Sequence, residues 1–254
     1  MPDPWQSPIA LPPLAPGELQ LWRVTLAEAT ASPRLFMQHL SPDETERAAR
    51  LRAGEVRMQF VVARACLRSL LGSAFAVAPR LVPITLGSHG KPATPASDGN
   101  SLHFNVAHSH GSILIALSGR GPVGVDLERI DPNLDVMEIA GNSFTPGETQ
   151  QLAGISDPDQ RQRAFFRCWT RKEAVVKADG RGLSLPLTSF EVPVLESAIS
   201  HPVSLVWSGE ETQFARTHLY FVTDVPLGDE FSGALALERQ HNLTQMFDFP
   251  IAAV

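Results

Sequence analysis

Two carboxylates one residue apart carry the first chemical signal. In GVDLE, read as a strand, Asp126 and Glu128 point to one face and Val125 and Leu127 to the other. Neighbouring carboxylates repel unless a cation stands between them. An all-oxygen donor set favours a hard cation, Mg²⁺ foremost. The same alternation also fits a solvated strand face.

A second signal lies in FFRCWTRKEAVVKADGRGL. On a helix, Phe166, Trp169, Glu173 and Lys177 follow at spacings of three, four and four, within one broad stripe. The aromatics imply that the stripe packs inward, which makes a Glu and a Lys on it unusual. The plain alternative is an exposed i,i+4 ion pair worth only ~0.3–0.5 kcal/mol. Arg171 and Lys172 fall off the stripe and are expected in solvent. The Gly180–Gly182 turn reads as a helix stop, and no Walker spacing is present.

Basic groups form the third set. Arg47, Arg50, Arg52, Arg57, Arg64 and Arg68 crowd one stretch of a chain whose net charge is −6. Such a cluster can meet phosphates or an acidic protein surface, or simply keep a helix soluble. HGKP presents Lys91 from a Gly-containing loop. HFNVAHSHG brings His108 and His110 within two positions. A metal site, a phosphate grip and an ordinary strand end all remain open for that pair.

These residues need a scaffold, and 254 residues suit one large domain or two small ones. Hydrophobic residues make up 43% and charged residues 19%, the balance of a globular chain with a substantial core. An acidic net charge argues against a dedicated nucleic-acid binder. Cys66 and Cys168 are expected as buried packing residues, which fits a reducing cytoplasm. The Pro-rich start lacks a secretory signal's features, and no apolar run approaches the roughly 18 residues of a membrane span.

Residues 1–17 read as an extended, partly mobile lead-in and LQLWRVTLA as a strand. Ser41 is an N-cap with Pro42 at the first helical position, opening helices over 42–53 and 55–71 that break at Gly54. Residues 86–101 read as a loop. SLHFNVAHS and SILIALSG form a hairpin joined near Gly111, and PVGVDLERI a further strand. Helices follow near 134–140, 145–153 and 158–178. The tail is strand-like in SFEVPVL, VSLVWSG, THLYFVTDV and GALALER. Helices plus antiparallel strands occur in each half, with a seam near Arg120–Pro122, so the fold class is α+β with two similar-sized lobes. The boundaries are 1–120 for the N-terminal lobe and 121–254 for the C-terminal lobe, which carries the carboxylates and Lys177.

The order HGKP, FNVAHS, GVDLE and WTRKEAVVKADGRGLSLPL resembles the 4′-phosphopantetheinyl transferases of the Sfp (surfactin-synthetase-activating) type, from about Ser41 to Leu187. Asp126 and Glu173 stand 47 positions apart, within that family's habit. The resemblance implies a pseudo-symmetric pair of α+β lobes with the coenzyme cleft between them. It implies transfer of 4′-phosphopantetheine from coenzyme A to a serine of an apo acyl or peptidyl carrier protein, leaving adenosine 3′,5′-bisphosphate. The carrier would belong to a fatty-acid, polyketide or nonribosomal-peptide synthase. A cytoplasmic monomer is implied, with no nucleic acid or membrane among its partners.

Residue by residue, Asp126, Glu128 and Glu173 resemble the family's Mg²⁺ ligands, and Glu173 also its proposed base. Lys177 resembles the lysine on the coenzyme phosphates, and Arg47, Lys91 and His108 other coenzyme-binding groups. Glu148, in FTPGE, matches a further glutamate near the metal. His110 has no counterpart role. Two departures stand out. Ala107 occupies a position often held by Ser, and Gln59 and Phe60 stand where a basic or hydroxyl residue is expected, with Arg52 or Arg57 as substitutes on the 3′-phosphate.

In the implied reaction a cation bridging the pyrophosphate relieves repulsion of the incoming serine. Glu173, Glu148 or a metal-bound water takes the serine proton. The Arg-rich stretch offers a steering surface to an acidic carrier helix. Two rivals are a metal-dependent phosphate-ester hydrolase built on His108, His110, Asp126 and Glu128, and a carrier-binding scaffold without catalysis. The first wants further ligands at metal spacing, and the second is expected to lose a carboxylate or the lysine; all four are present.

Overall fold

The protein is described by a computed structural model covering residues 3–15, 17–29, 33–52, 54–87, 89–95, 102–195, 199–207, 216–240 and 245–254. Parts of the lead-in, the 86–101 loop and the end of VSLVWSG lie outside these residues. In chain order the first elements are β1 (Leu19–Thr25), α1 (Leu26–Ala29), α2 (Pro33–Gln38), α3 (Pro42–Arg50), α4 (Glu55–Phe75), β2 (Thr85–Leu86), β3 (Pro92–Ala93), β4 (His103–Ser109) and β5 (Ser112–Ser118). There follow β6 (Val123–Arg129), α5 (Val136–Ser143), α6 (Pro146–Ala153), α7 (Pro158–Asp179), β7 (His201–Trp207), β8 (Arg216–Asp224), β9 (Phe231–Leu237) and β10 (Gln245–Asp248). The fold is α+β, as expected, and divides into one unit of residues 1–120 with 244–254 and a second of 121–243.

In the first unit the sheet order is β10-β1-β5-β4. The β4–β5 hairpin closes at Ser109 and Ser112 through His110 (φ 45°) and Gly111 (φ 76°). Two positive φ values in a two-residue loop match the right-handed twist of the flanking strands. His110 therefore has a place in the fold, as the first turn residue. Helix α3 begins with the expected Ser41 cap, completed by Glu44 as a capping box. It ends at Arg50, because Leu51 is already extended (ψ 147°). Helices α1 and α2 had no sequence signal strong enough to anticipate. Trp22, Phe36, Leu67, Leu71, Ile113 and Ile115 lie in this unit's core.

The tail departs from expectation. The boundary drawn from sequence ran the second lobe to residue 254, but β10 pairs in parallel with β1 in the first unit, with Trp22 opposite Phe247. Their rings lie 4.6 Å apart, an apolar contact that draws the tail onto this sheet. The lead-in is fastened there too. The Gln6 amide donates to the Met246 carbonyl (2.9 Å) and Gln6 O accepts from Asp248 N (2.8 Å).

In the second unit the sheet order is β6-β9-β8-β7, all neighbours antiparallel. Helix α7 starts at the Asp157 cap and stops at Gly180 in the left-handed region (φ 87°). Its approach to β6 is set by small groups. A Cβ at Gly124 would lie 2.0 Å from the Ala174 carbonyl oxygen and 2.3 Å from the Ala178 amide nitrogen. Ala236, Ala234 and Ser232 stand opposite Gly124, Asp126 and Glu128 on β9. Ser232 Oγ meets Thr170 Oγ1 of α7 at 3.2 Å. Helix backbone thus rests on strand backbone, and the face that bears Asp126 is covered by α7 instead of being solvated.

SFEVPVL is not a strand. Residues 191–193 have no regular structure. The Phe190 carbonyl accepts from Lys172, the Val192 amide donates to Glu148 and the Pro193 carbonyl accepts from Arg171, so side chains take the bonds a strand partner would make. Pro193 could not have donated in any case.

Gly124→Ala is expected to cost about 3 kcal/mol, a fall in Tm of roughly 6–12 °C, because the new Cβ meets backbone that cannot rotate away. Gly141→Ala, inside α5 with nothing near the new Cβ, is expected to gain about 0.5–1 kcal/mol. Thermal melts of the two variants against the parent measure the contrast.

Candidate active site

Strand β6 and helix α7 bring together four of the predicted groups. Asp126, 4% exposed, receives Lys177 Nζ at 2.6 Å. Glu173 is one turn before Lys177 and half-buried. Its carboxyl is pushed above the usual carboxylate range by burial and by the charges of Asp126 and Glu128, with Lys177 acting the other way. Three carboxylates and one ammonium therefore share a single electrostatic neighbourhood.

The donor chemistry fits a hard divalent cation. Among the described residues, however, no three His, Cys, Asp or Glu side chains are gathered closely enough to hold a metal ion. In this structure the cation at Asp126 is the ammonium of Lys177.

Glu148, matched above to a glutamate near the metal and offered as an alternative base, does other work. It is 1% exposed. Its Oε2 lies 2.8 Å from Lys172 Nζ and accepts from Thr145 N at 2.9 Å, while Oε1 accepts from Val192 N at 2.8 Å. Both oxygens are engaged, so the base role is withdrawn. Lys172 and Arg171, expected in solvent, are fully buried. Lys172 also donates to the Leu187 (2.8 Å) and Phe190 (2.5 Å) carbonyls. Arg171 binds Asp224 through Nε (2.8 Å) and a terminal nitrogen (2.6 Å). These consecutive cations tie α7 to the 187–193 segment and β8, and so fix the helix that carries Glu173 and Lys177. Helical periodicity could not reveal this, because it places all neighbours on one or other side of a single helix and does not see an irregular segment folding over it.

Just beyond α7, Asp179 binds Arg181 Nε at 2.5 Å and accepts from the Tyr220 hydroxyl at 3.2 Å. Burial alone would raise the Asp179 carboxyl, but the Arg181 and Tyr220 contacts outweigh it and hold it below the usual range.

In the first unit, Arg47 and His108 line one pocket of about 400 Å³. Arg64, which the sequence did not single out for binding, joins them. The Arg47 and Arg64 guanidiniums lie 5.1 and 5.8 Å from the Phe60 ring centre. Lys91 precedes Pro92, which lines the pocket, but is not itself among the lining residues; its carbonyl accepts from Gly87 N at 2.9 Å. Arg57, proposed as a phosphate substitute, instead donates to the Leu51 (2.7 Å) and Ala49 (3.3 Å) carbonyls at the end of α3. Arg68 is buried against Glu44 and donates to the Pro79 (2.9 Å) and Val82 (3.1 Å) carbonyls. The signal for Arg64 was present in the sequence: it falls one helical turn after Phe60.

Comparison with known proteins gives the family. Residues 122–223 match the family model of the 4′-phosphopantetheinyl transferase superfamily. The chain is 35% identical over 192 residues to the 4′-phosphopantetheinyl transferase HetI of Nostoc sp., covering 73% of this chain and 81% of that protein. The chain belongs to this superfamily. It is also 30% identical over 183 residues to a 4′-phosphopantetheinyl transferase of Bacillus subtilis (72% and 78% covered), and 31% identical over 157 residues to the Sfp protein of that species (62% and 67% covered). The resemblance read from four short blocks therefore extends over most of the chain.

Glu148→Gln is expected to destabilise the protein by about 3–5 kcal/mol by leaving the buried Lys172 charge uncompensated. Glu148→Gln combined with Lys172→Met should recover much of that loss. Denaturant unfolding measures both; a stable single variant would leave the ion pair without a structural role. Asp179 gives a pH prediction. Its depressed folded-state value adds stability that is full above the ordinary value of 3.8 and is lost as pH falls through the lower folded-state value. Asp179→Asn should lower Tm at neutral pH and flatten the acid limb below about pH 4, read from melts across pH.

Proposed function

We propose that this chain is a 4′-phosphopantetheinyl transferase that moves the phosphopantetheine arm of coenzyme A onto a serine of an apo carrier protein and releases adenosine 3′,5′-bisphosphate. The observation that carries the reading is the grouping of Asp126, Glu128, Glu173 and Lys177 on β6 and α7, in a chain that belongs to the superfamily.

In this reading Asp126, Glu128 and Glu173 hold Mg²⁺, and Arg47, Lys91, His108 and Lys177 bind the coenzyme. Bound Mg²⁺ would neutralise charge on the pyrophosphate and steady the departing phosphate. Lys177 adds a positive charge that can turn from Asp126 to a phosphate oxygen once the carboxylates have another cation. Glu173 accepts the serine proton. Burial and the charges of Asp126 and Glu128 raise its carboxyl while no cation is bound, and a bound Mg²⁺ would act the other way. Glu148 is no competitor for this step.

The carrier is acidic in this reading and meets exposed Arg50 and Arg52, since Arg57 and Arg68 are bound to backbone carbonyls. A cytoplasmic monomer belongs to the same reading; Cys66 and Cys168 are buried free thiols, which burial pushes up and leaves unreactive. Among the described residues no helix is long and apolar enough to cross a membrane.

Mass spectrometry of an apo carrier mixed with coenzyme A, Mg²⁺ and this protein is expected to show one added phosphopantetheine. Asp126→Asn should abolish the addition, and Lys177→Ala should lower kcat by about 10²-fold. Normal turnover by Asp126→Asn would remove the carboxylates from the site, and a carrier panel without any transfer would overturn the function.

A further inference from the structure

Lys177 stands in the last turn of α7, and the last turn of a helix is where fraying begins. Asp179, two positions on, points about 200° away from Lys177 around the helix. The two side chains reach different strands on opposite flanks. Lys177 Nζ lies 2.6 Å from Asp126 on β6, and Asp179 accepts from the Tyr220 hydroxyl on β8 at 3.2 Å. Strand β9 runs between them in the sheet. Where α7 meets β6 it rests on Gly124, a group too small to resist a roll of the helix about its axis. A bond on each flank does resist it. Tyr220 is the single tyrosine of the chain. It is 1% exposed, in the core cluster that holds Ala174, Val175 and Ala178 of α7. Its hydroxyl has one proton and faces two carboxylates, Asp179 and, at 3.5 Å, Glu238. Arg181 binds both oxygens of Asp179 and so presents a fixed acceptor. Burial and the two carboxylate charges push the phenol far above its ordinary value, so it stays a donor.

We propose that Tyr220 is a positioning residue for the transfer reaction: its hydrogen bond to Asp179 stops the end of α7 from rolling and so holds Lys177 at Asp126. A helix that rolled toward β8 would lift the lysine from β6 and carry its charge away from the reacting phosphates. The inference rests on the proposed function for the reaction, and on the contacts at Asp179 and Asp126 for the placement.

The test separates the two. The chain has three lysines, Lys91, Lys172 and Lys177, so lysine labelled with ¹³C at Cε gives three NMR signals. The signal missing from Lys177→Ala is that of Lys177. Spectra are taken of the full chain at neutral pH, without ligand. Tyr220→Phe, which keeps the ring and removes the hydroxyl, should move the Lys177 signal toward that of an exposed lysine and leave the other two in place. Asp179→Ala, which removes the acceptor, should move the same signal. Arg163→Ala, which loses an exposed pair at the far end of α7, should move none. In the transfer assay Tyr220→Phe should lower kcat about tenfold with KM for the carrier unchanged. In a Lys177→Ala background the same substitution should change kcat by less than about twofold, because a residue acting through Lys177 has nothing left to act on. An unmoved Lys177 signal in folded Tyr220→Phe overturns the inference, and so do effects of the two substitutions that multiply. If the signal moves while no carrier is modified, the transferase reading fails and the restraint on α7 stands. If Tyr220→Phe modifies carriers at the parent rate, the positioning role fails and the transferase reading stands.

Discussion

The contact on which the second unit depends is backbone against backbone. Helix α7 lies so close to β6 that any side chain at position 124 would overlap the Ala174 carbonyl. That approach brings Lys177 Nζ to 2.6 Å from Asp126 and puts Glu173 within range of two further carboxylates. A wider spacing filled by ordinary apolar side chains would bury more surface per residue. It would also move the helix and its polar groups away from the strand. The packing therefore relies on small groups, Gly124 with Ala234, Ala236 and Ser232 across the sheet, and gains close dispersion contact in place of bulk.

An interface of small residues holds a helix less firmly against rotation than interdigitated large ones. The buried cations supply that restraint. Arg171 and Lys172 are adjacent on α7 and reach different partners: Asp224 and the Pro193 carbonyl for one, Glu148 and the Leu187 and Phe190 carbonyls for the other. Buried ion pairs add little net stability against an apolar alternative, because desolvation offsets their attraction. Their directional bonds do fix orientation. In α7 the residue after them is Glu173, so the rotation they set is the rotation that aims the carboxyl.

Much of this was legible in the sequence, for identifiable reasons. Period-two alternation put Asp126 and Glu128 on one face, and Ser41 as N-cap with Pro42 at the first helical position started α3 where expected. The hairpin joined near Gly111 followed from its two flanking strands, and the structure adds His110 as the first turn residue. What stayed hidden depends on segments far apart in the chain. SFEVPVL alternates like a strand, but its polar backbone groups are taken by side chains of α6 and α7, information that no local window contains. The last strand was not read as a strand, and its residues were placed in the second lobe with their neighbours in sequence, whereas an apolar match between Trp22 and Phe247 decides where they pair. Periodicity likewise sorts residues by the face of one helix and so consigned Arg171 and Lys172 to solvent.

The same limit governs the arginines, and there the physical criterion is the acceptor each one finds. Arg68 gives its protons to Glu44 and two carbonyls, and Arg57 gives its own to the open end of α3. A guanidinium so bound loses those bonds if it turns to a ligand, and the exchange gains little. Arg47 and Arg64 rest on the face of Phe60, an attraction of about 0.5–1 kcal/mol, and Arg64 Nε also stands 3.9 Å from Glu44 Oε1. Position 60, where a basic or hydroxyl residue is expected, instead places an aromatic ring against two guanidiniums.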